Sequence, residues 1–156
     1  DRFERKEEIK TALNENKIVV CNRYTPSNIA HQIVKAKESD KEALKQWICH
    51  LEDNIFKIPK YDYIIFLDVP FENSDKMVEM KETREYTDKS KDIHEENKPY
   101  MQKVYQEYQV LSKDKKWLKI SCINQAGEVK TKSDIMQEVV GIITKNNILN
   151  DYISKS

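Results

Sequence analysis

The stretch Ile18-Val19-Val20-Cys21-Asn22-Arg23-Tyr24-Thr25-Pro26-Ser27-Asn28-Ile29-Ala30-His31-Gln32 passes from an apolar, β-branched run through a polar turn into helical spacing. Such a run reads as a buried parallel strand, Ile18 to Cys21, that delivers its next residues to the carboxyl edge of a sheet, where open α/β sheets bind ligands. Arg23 falls at that edge. Its guanidinium is always charged and makes two parallel hydrogen bonds at once, which suits a phosphate better than any other side chain. Asn28, His31 and Gln32 follow at spacings that place them near one another on the first turns of the next helix. The cluster reads as a pocket for a nucleotide monophosphate.

Outward from this stretch, strands alternate with helices. Asp1 to Asn14 carries Phe3, Ile9, Ala12 and Leu13 among dense charges, the tail of an amphipathic helix that stops at Asn14 to Asn16. Asn28 to Lys37 is helical. Ser39-Asp40-Lys41-Glu42 then reads as a capping box for a helix with Leu44, Trp47, Ile48 and Leu51 on one face. Tyr63 to Val69 is nearly all apolar and predicts a central strand covered on both faces, ending at Pro70. Lys81 to Lys91 lacks any aliphatic side chain and predicts a mobile segment. Ile93, Met101, Val104, Tyr105, Tyr108 and Leu111 restore helical spacing, with Pro99 as an interruption. Trp117 to Ile123 predicts a last strand. After Thr131 comes a helix with Ile135, Val139, Ile142 and Ile143 inward. The alternation implies an α/β fold, a parallel sheet with helices on both faces.

Composition bounds the reading. A length of 156 residues suits one domain, 1–156. Lys plus Arg equals Asp plus Glu at 27 each, so no overall field draws in nucleic acid or an anionic membrane, and an anion site has to be local. Cys21, Cys49 and Cys122 are odd in number and form no C-x-x-C pair, which points to buried thiols in a reducing cytosol instead of a disulfide framework or zinc site. No apolar stretch approaches the length of a membrane span, and no leader opens the sequence, so a cytoplasmic protein is expected.

Several segments, in order along the chain, resemble the thymidylate kinases. Asn22-Arg23-Tyr24-Thr25-Pro26-Ser27 resembles that family's Asp-Arg-Tyr-x-x-Ser loop, and Asp1-Arg2-Phe3-Glu4 resembles the end of the long helix that carries its second phosphate-facing arginine. Ile58-Pro59-Lys60-Tyr61-Asp62 through Leu67-Asp68-Val69-Pro70 is similar to its Pro-x-x-Asp strand. Asp92-Ile93-His94-Glu95 through Val104 and Tyr108 is similar to its lid-to-helix segment. The resemblance implies a nucleoside monophosphate kinase-like fold of the P-loop NTPase superfamily. It implies transfer of the terminal phosphoryl of ATP to dTMP, giving dTDP, with Mg2+ and by in-line attack of the acceptor phosphate.

Site residues carry over individually. Arg23 is implied to hold the acceptor's 5'-phosphate and, with Arg84 in a lid at about 81–92, to act in catalysis. Arg2 is implied to meet the phosphate or the base edge. Asn28 is implied to read sugar or base, His31 stands where members stack a Tyr on thymine, Gln32 matches a Gln of some members, and Tyr108 lies near the acceptor's ring and sugar. Members also pair as homodimers through helices. Duller readings stand beside these: Arg2 in ion pairs with Glu4 or Glu7, Asn28 and Asp92 as helix caps, Tyr108 as core, Asp68 as a strand end.

Two departures bear on activity. The family's G-x-x-x-x-G-K-[ST] loop, whose backbone amides wrap the donor phosphates, has no counterpart, because Gly127 and Gly141 are the only glycines and neither precedes Lys-Ser or Lys-Thr. The match begins mid-helix at Asp1, so the family's amino-terminal portion is expected to be missing from this sequence. Asn22 also stands where members carry an acid near the metal and the reacting phosphates. The alternatives are a related nucleoside or deoxynucleoside kinase and a non-catalytic nucleotide-binding or interaction remnant.

Overall fold

The computed structural model describes residues 2–73, 88–146 and 148, with backbone alone for 88–96. Backbone contacts gather the chain into two compact units, Asp1–Asp62 with Ile148–Ser156, and Tyr63–Asn147.

The first unit is helical. Helix α1 spans Lys6–Asn14 and is stopped by two backbone bonds, Asn16 N–H to Leu13 O at 3.0 Å and Lys17 N–H to Ala12 O at 2.9 Å, with Asn16 at φ 55°. This is the paired closure that follows when a residue after the last turn enters the left-handed region, and Asn enters it at lower cost than most side chains. The stop at Asn14 to Asn16 is the expected one.

Helix α2 spans Thr25–Ile33 and begins three residues earlier than its apolar spacing suggests, because Pro26 in the first turn supplies a preset helical φ and gives up an N–H that would have no partner there. Asn28 is therefore inside the helix and is not its cap. Ile29, Ala30 and Ile33 of α2 are buried and, with Ile48 and Ile58, form this unit's core. Helix α3, Lys41–His50, packs on α2 and opens without the expected capping box. A single 3-10 turn, Glu38–Asp40, precedes it; Ser39 donates to Asp40, and Glu42 accepts from Gln46 instead of reaching back. Trp47 is exposed in spite of its place in the apolar register.

The expected strand Ile18 to Cys21 is not one. Its residues pair with no other strand among those described, and Val20 is 90 % exposed. An apolar β-branched run states a preference for burial in a sheet, but a strand exists only where a neighbour completes its ladder. Cys21 is accordingly exposed, not buried as expected, whereas Cys122 is buried and Cys49 half-buried; all three are free thiols.

The second unit holds the parallel pair. Strand β1, Ile64–Asp68, and strand β2, Trp117–Ser121, run parallel in register from Ile64 opposite Trp117 to Asp68 opposite Ser121. Helix α4, Asp88–Leu111, lies between them in sequence, as a parallel crossover requires, and continues through Pro99. Asp92 thus lies within the helix, not at its cap, and of the expected lid 81–92 residues 81–87 fall outside the described residues. On one face of β1, Phe66 stacks on Tyr108 of α4 at 5.6 Å and meets Trp117 edge-on at 5.8 Å. Val104, Ile120 and Cys122 are the buried centre of this unit. Ile65 and Leu67 on the other face are 41 % and 47 % exposed, so the strand is covered on one side and not on both. An antiparallel bridge, Ile123 to Val129, closes a turn in which Gly127 takes φ 80°. Helix α5, Lys132–Lys145, packs on β2; Thr131 caps it by accepting from Asp134 N at 3.2 Å while donating to the Asp134 carboxylate at 2.7 Å. Ile135, Val139, Ile142 and Ile143 are its least exposed apolar side chains, as expected.

Lys57 sits at φ 52°, where a Cβ crowds the backbone at a cost of about 1–2 kcal/mol. Lys57→Gly is expected to raise stability by about 1 kcal/mol, or about 2–4 °C in Tm, and Lys57→Val to lower it. Thermal unfolding followed by circular dichroism checks both signs.

Candidate functional site

Three residues from distant parts of the first unit converge on one carboxylate. Past His50, helix α3 widens into a single π turn, Leu51–Ile55, marked by Phe56 N–H bonding Leu51 O at 2.8 Å. Glu52 is in that turn and only 3 % exposed. Its Oε1 accepts from Arg2 Nη2 at 2.6 Å and from Asn28 Nδ2 at 2.9 Å, and its Oε2 accepts from Thr25 Oγ1 at 2.5 Å. Burial pushes this carboxyl's pKa up, but the hydrogen bonds from Thr25, Asn28 and Arg2 together outweigh it and hold the group below its ordinary value. Glu52 is ionised at neutral pH.

Arg2 therefore makes neither of the surface ion pairs that its sequence position offers; Glu7 is taken by Lys10 at 2.9 Å. Its guanidinium lies 5.9 Å from the centre of the Tyr24 ring. Nε of Arg2 is buried with no hydrogen-bond partner among the described residues, a donor that a bound acceptor would satisfy. Tyr24 in turn donates its hydroxyl to Pro59 O at 2.7 Å and meets Tyr61 edge-on. Burial, foremost, pushes the Tyr24 phenol up to about 12, so it remains a donor at every physiological pH. Tyr24 thereby ties the polar turn to both Arg2 and the chain that leads into β1.

Arg23 precedes Tyr24 and is exposed, with φ 65°. A non-glycine residue in the left-handed region costs about 1–3 kcal/mol and persists where the surroundings fix it, often at ligand sites. An arginine meant for an anion from solution has to be accessible, and this one is. His31, half-buried on α2, has its pKa held below 6.5 by burial first and then by the positive charges of Arg23 and Lys35, so the imidazole is neutral at pH 7. Gln32 is exposed at the end of α2.

The remaining expected site residues lie elsewhere. Tyr108 belongs to the second unit, in the aromatic stack on Phe66 and Trp117, so its core role is the one seen there. Arg84 lies outside the described residues. Asp68 ends β1 as expected and is taken by Lys119 at 2.9 Å and by Gln109 Nε2 at 2.7 Å; Lys119 Nζ also donates to Gln109 Oε1. Tyr105 also bonds this carboxylate, and its phenol is pushed up to about 12, chiefly by burial. Glu52 was not singled out from the sequence. The available signal is that it falls four residues after Ile48, on the face that α3 buries, and a carboxylate at a core position demands partners.

Among the described residues no group of three or more His, Cys, Asp or Glu side chains is disposed to hold a metal ion, and no helix is long and apolar enough to cross a membrane.

The first unit thus presents an exposed arginine on a left-handed turn at the start of helix α2, and the second a parallel α/β pair. The family model for thymidylate kinase matches residues 1–133, and the chain belongs to the thymidylate kinase family, with the P-loop NTPase fold which that family shares. The family is one of nucleotide kinases, which generally use ATP and Mg2+. No curated protein and no solved structure matches this chain.

Because Arg23 depresses the His31 pKa, Arg23→Ala is expected to raise it part of the way back to 6.5. For a base whose folded value is lowered, the stability it contributes is complete above pH 6.5 and is lost as pH falls below that value, so the variant is also expected to lose less stability between pH 7 and 5. NMR titration of the His31 ring protons tests this; an unchanged midpoint would separate the two groups.

Proposed function

We propose that this chain carries the acceptor-nucleotide half of a dTMP kinase, the enzyme that transfers the terminal phosphoryl of ATP to dTMP. The observation that carries the reading is Arg23: exposed, held at φ 65°, and at the entrance of helix α2. In that place its fork takes the 5'-phosphate bidentately and neutralises charge as the phosphoryl group moves. Arg2 and Asn28, held on Glu52, face the base, and His31 and Gln32 of the same helix as Asn28 complete the acceptor site within the first unit. Arg84, which lies outside the described residues, is assigned from the family resemblance to the transferred phosphoryl group. The family match supports a nucleotide kinase, within which these roles are the proposal.

ATP and Mg2+ find no matching ligand set in the described residues. The glycine-rich loop is not among the 156 residues, and Asn22 offers a neutral amide in place of the acid that the family carries there. When bound, the pair supplies the phosphoryl group and the counter-charge, while this chain's residues orient the acceptor. A cytoplasmic location and a homodimer belong to the same reading.

Saturating dTMP at about 100 times its Kd is expected to stabilise the protein by about 2.7 kcal/mol, seen as a rise in Tm. Arg23→Ala is expected to remove most of that rise. Arg23→Gly is expected to bind as poorly while making the free protein more stable than Arg23→Ala, since glycine relieves the left-handed backbone. A dTMP-induced shift that survives in both variants would refute the phosphate assignment. A phosphoryl-transfer assay of the full-length gene product across the common monophosphates would separate dTMP kinase from the other nucleoside and nucleotide kinases and from a non-catalytic nucleotide binder.

A further inference from the structure

We propose that Glu52 is a positioning residue that sets which nucleobases the site accepts, by fixing the hydrogen-bonding sense of Asn28 and Arg2. The inference rests on the acceptor-site reading above.

An amide side chain is ambiguous by itself, since its oxygen and nitrogen exchange places by a simple flip. Asn28 is not free to flip. An ionised carboxylate only accepts, so the Asn28 group that faces Glu52 Oε1 at 2.9 Å has to be Nδ2, and Oδ1 is left as the amide's acceptor. The same oxygen, Oε1, accepts from Arg2 Nη2 at 2.6 Å. One arm of the fork is thereby anchored, and the other N–H groups remain donors. A single buried atom thus specifies an acceptor from one element beside donors from another.

This pattern has a chemical complement. A pyrimidine with a ring N–H next to a carbonyl, as in thymine or uracil, offers a donor to Asn28 Oδ1 and an acceptor to Arg2. Cytosine offers the reverse at the same edge, a ring acceptor beside an amino donor, and would leave both protein groups unpaired.

Two features distinguish this role from simple core-filling. Arg2 and Asn28 are not themselves buried: the Arg2 side chain is 31 % exposed and Asn28 is half-buried, so both run from a buried anchor toward the surface. The anchor also lies in a π turn, an irregularity with poorer hydrogen-bond geometry than the α-helix that tends to be kept at functional sites. The turn is pinned at its far end by Ile58 N–H bonding the backbone carbonyl of Glu52 itself at 2.9 Å. The carboxylate is therefore held from its main chain as well as by its three side-chain partners.

The test measures binding of dTMP and dCMP to the whole protein by calorimetry, for wild type, Glu52→Gln, Glu52→Asp, Asn28→Ala and the double variant Glu52→Gln/Asn28→Ala. Wild type is expected to prefer dTMP. Glu52→Gln, which removes the charge and puts an amide donor in place of one accepting oxygen, is expected to weaken dTMP binding by about tenfold and to bring the dTMP-to-dCMP ratio toward one, and Glu52→Asp to recover part of the ratio. Adding Glu52→Gln to Asn28→Ala is expected to weaken dTMP binding by clearly less than its effect on wild type, the remainder acting through Arg2, whereas adding it to Arg23→Ala should keep its full effect. If Glu52→Gln does not fold, Glu52→Asp carries the test through its ratio. Unchanged discrimination in a folded Glu52 variant, or a full effect of Glu52→Gln on top of Asn28→Ala, overturns the inference while leaving the acceptor site standing. No dTMP binding by wild type overturns the acceptor-site reading itself, and this inference with it.

Discussion

The first unit depends on one buried charge. Glu52 lies four residues along α3 from Ile48, on a face that otherwise carries apolar side chains, and an ionised carboxylate there is tolerable only because Thr25, Asn28 and Arg2 all donate to it. Those three partners come from the segment before α1 and from the first two turns of α2. The carboxylate therefore joins three parts of the chain more specifically than apolar contact does, since each bond fixes a direction as well as a distance.

Around that hub the polar turn takes a shape that has a cost. Arg23 is held at φ 65°, and the next residue, Tyr24, is fixed by its hydroxyl on Pro59 and by the Arg2 guanidinium at its ring. A strained arginine that remains exposed gains nothing from packing. Its position fits the role proposed for it, preorganisation for the phosphate of an acceptor nucleotide, and the chain's family is one of nucleotide kinases.

The second unit is built on different forces. Stacked and edge-on rings of Phe66, Tyr108 and Trp117 join α4 to the parallel pair, and the Asp68, Gln109 and Lys119 network closes the strand end. Asp68 and Tyr108, both attractive as chemistry when only the sequence is read, are occupied in this structural work. Their residue types are those of a site and their surroundings are those of a core.

What was legible in the sequence is what local physics controls. The stop of α1 at Asn14 to Asn16, the cap at Thr131, the inward apolar face of α5 and the apolar strand that became β1 follow from turn chemistry and periodicity within a few residues. The order of short motifs was enough to indicate the family. Tertiary structure decided the rest, because the deciding partners are far apart along the chain. Ile18 to Cys21 has strand composition and no ladder among the described residues, since a strand requires a neighbour that composition does not supply. Arg2 finds Glu52 fifty residues away, when Glu4 and Glu7 were the partners in view. Glu52 itself reads as one more surface acid until folding buries it, and a buried charge is the feature that local sequence conceals most completely, because its cost and its compensation are both set by residues elsewhere.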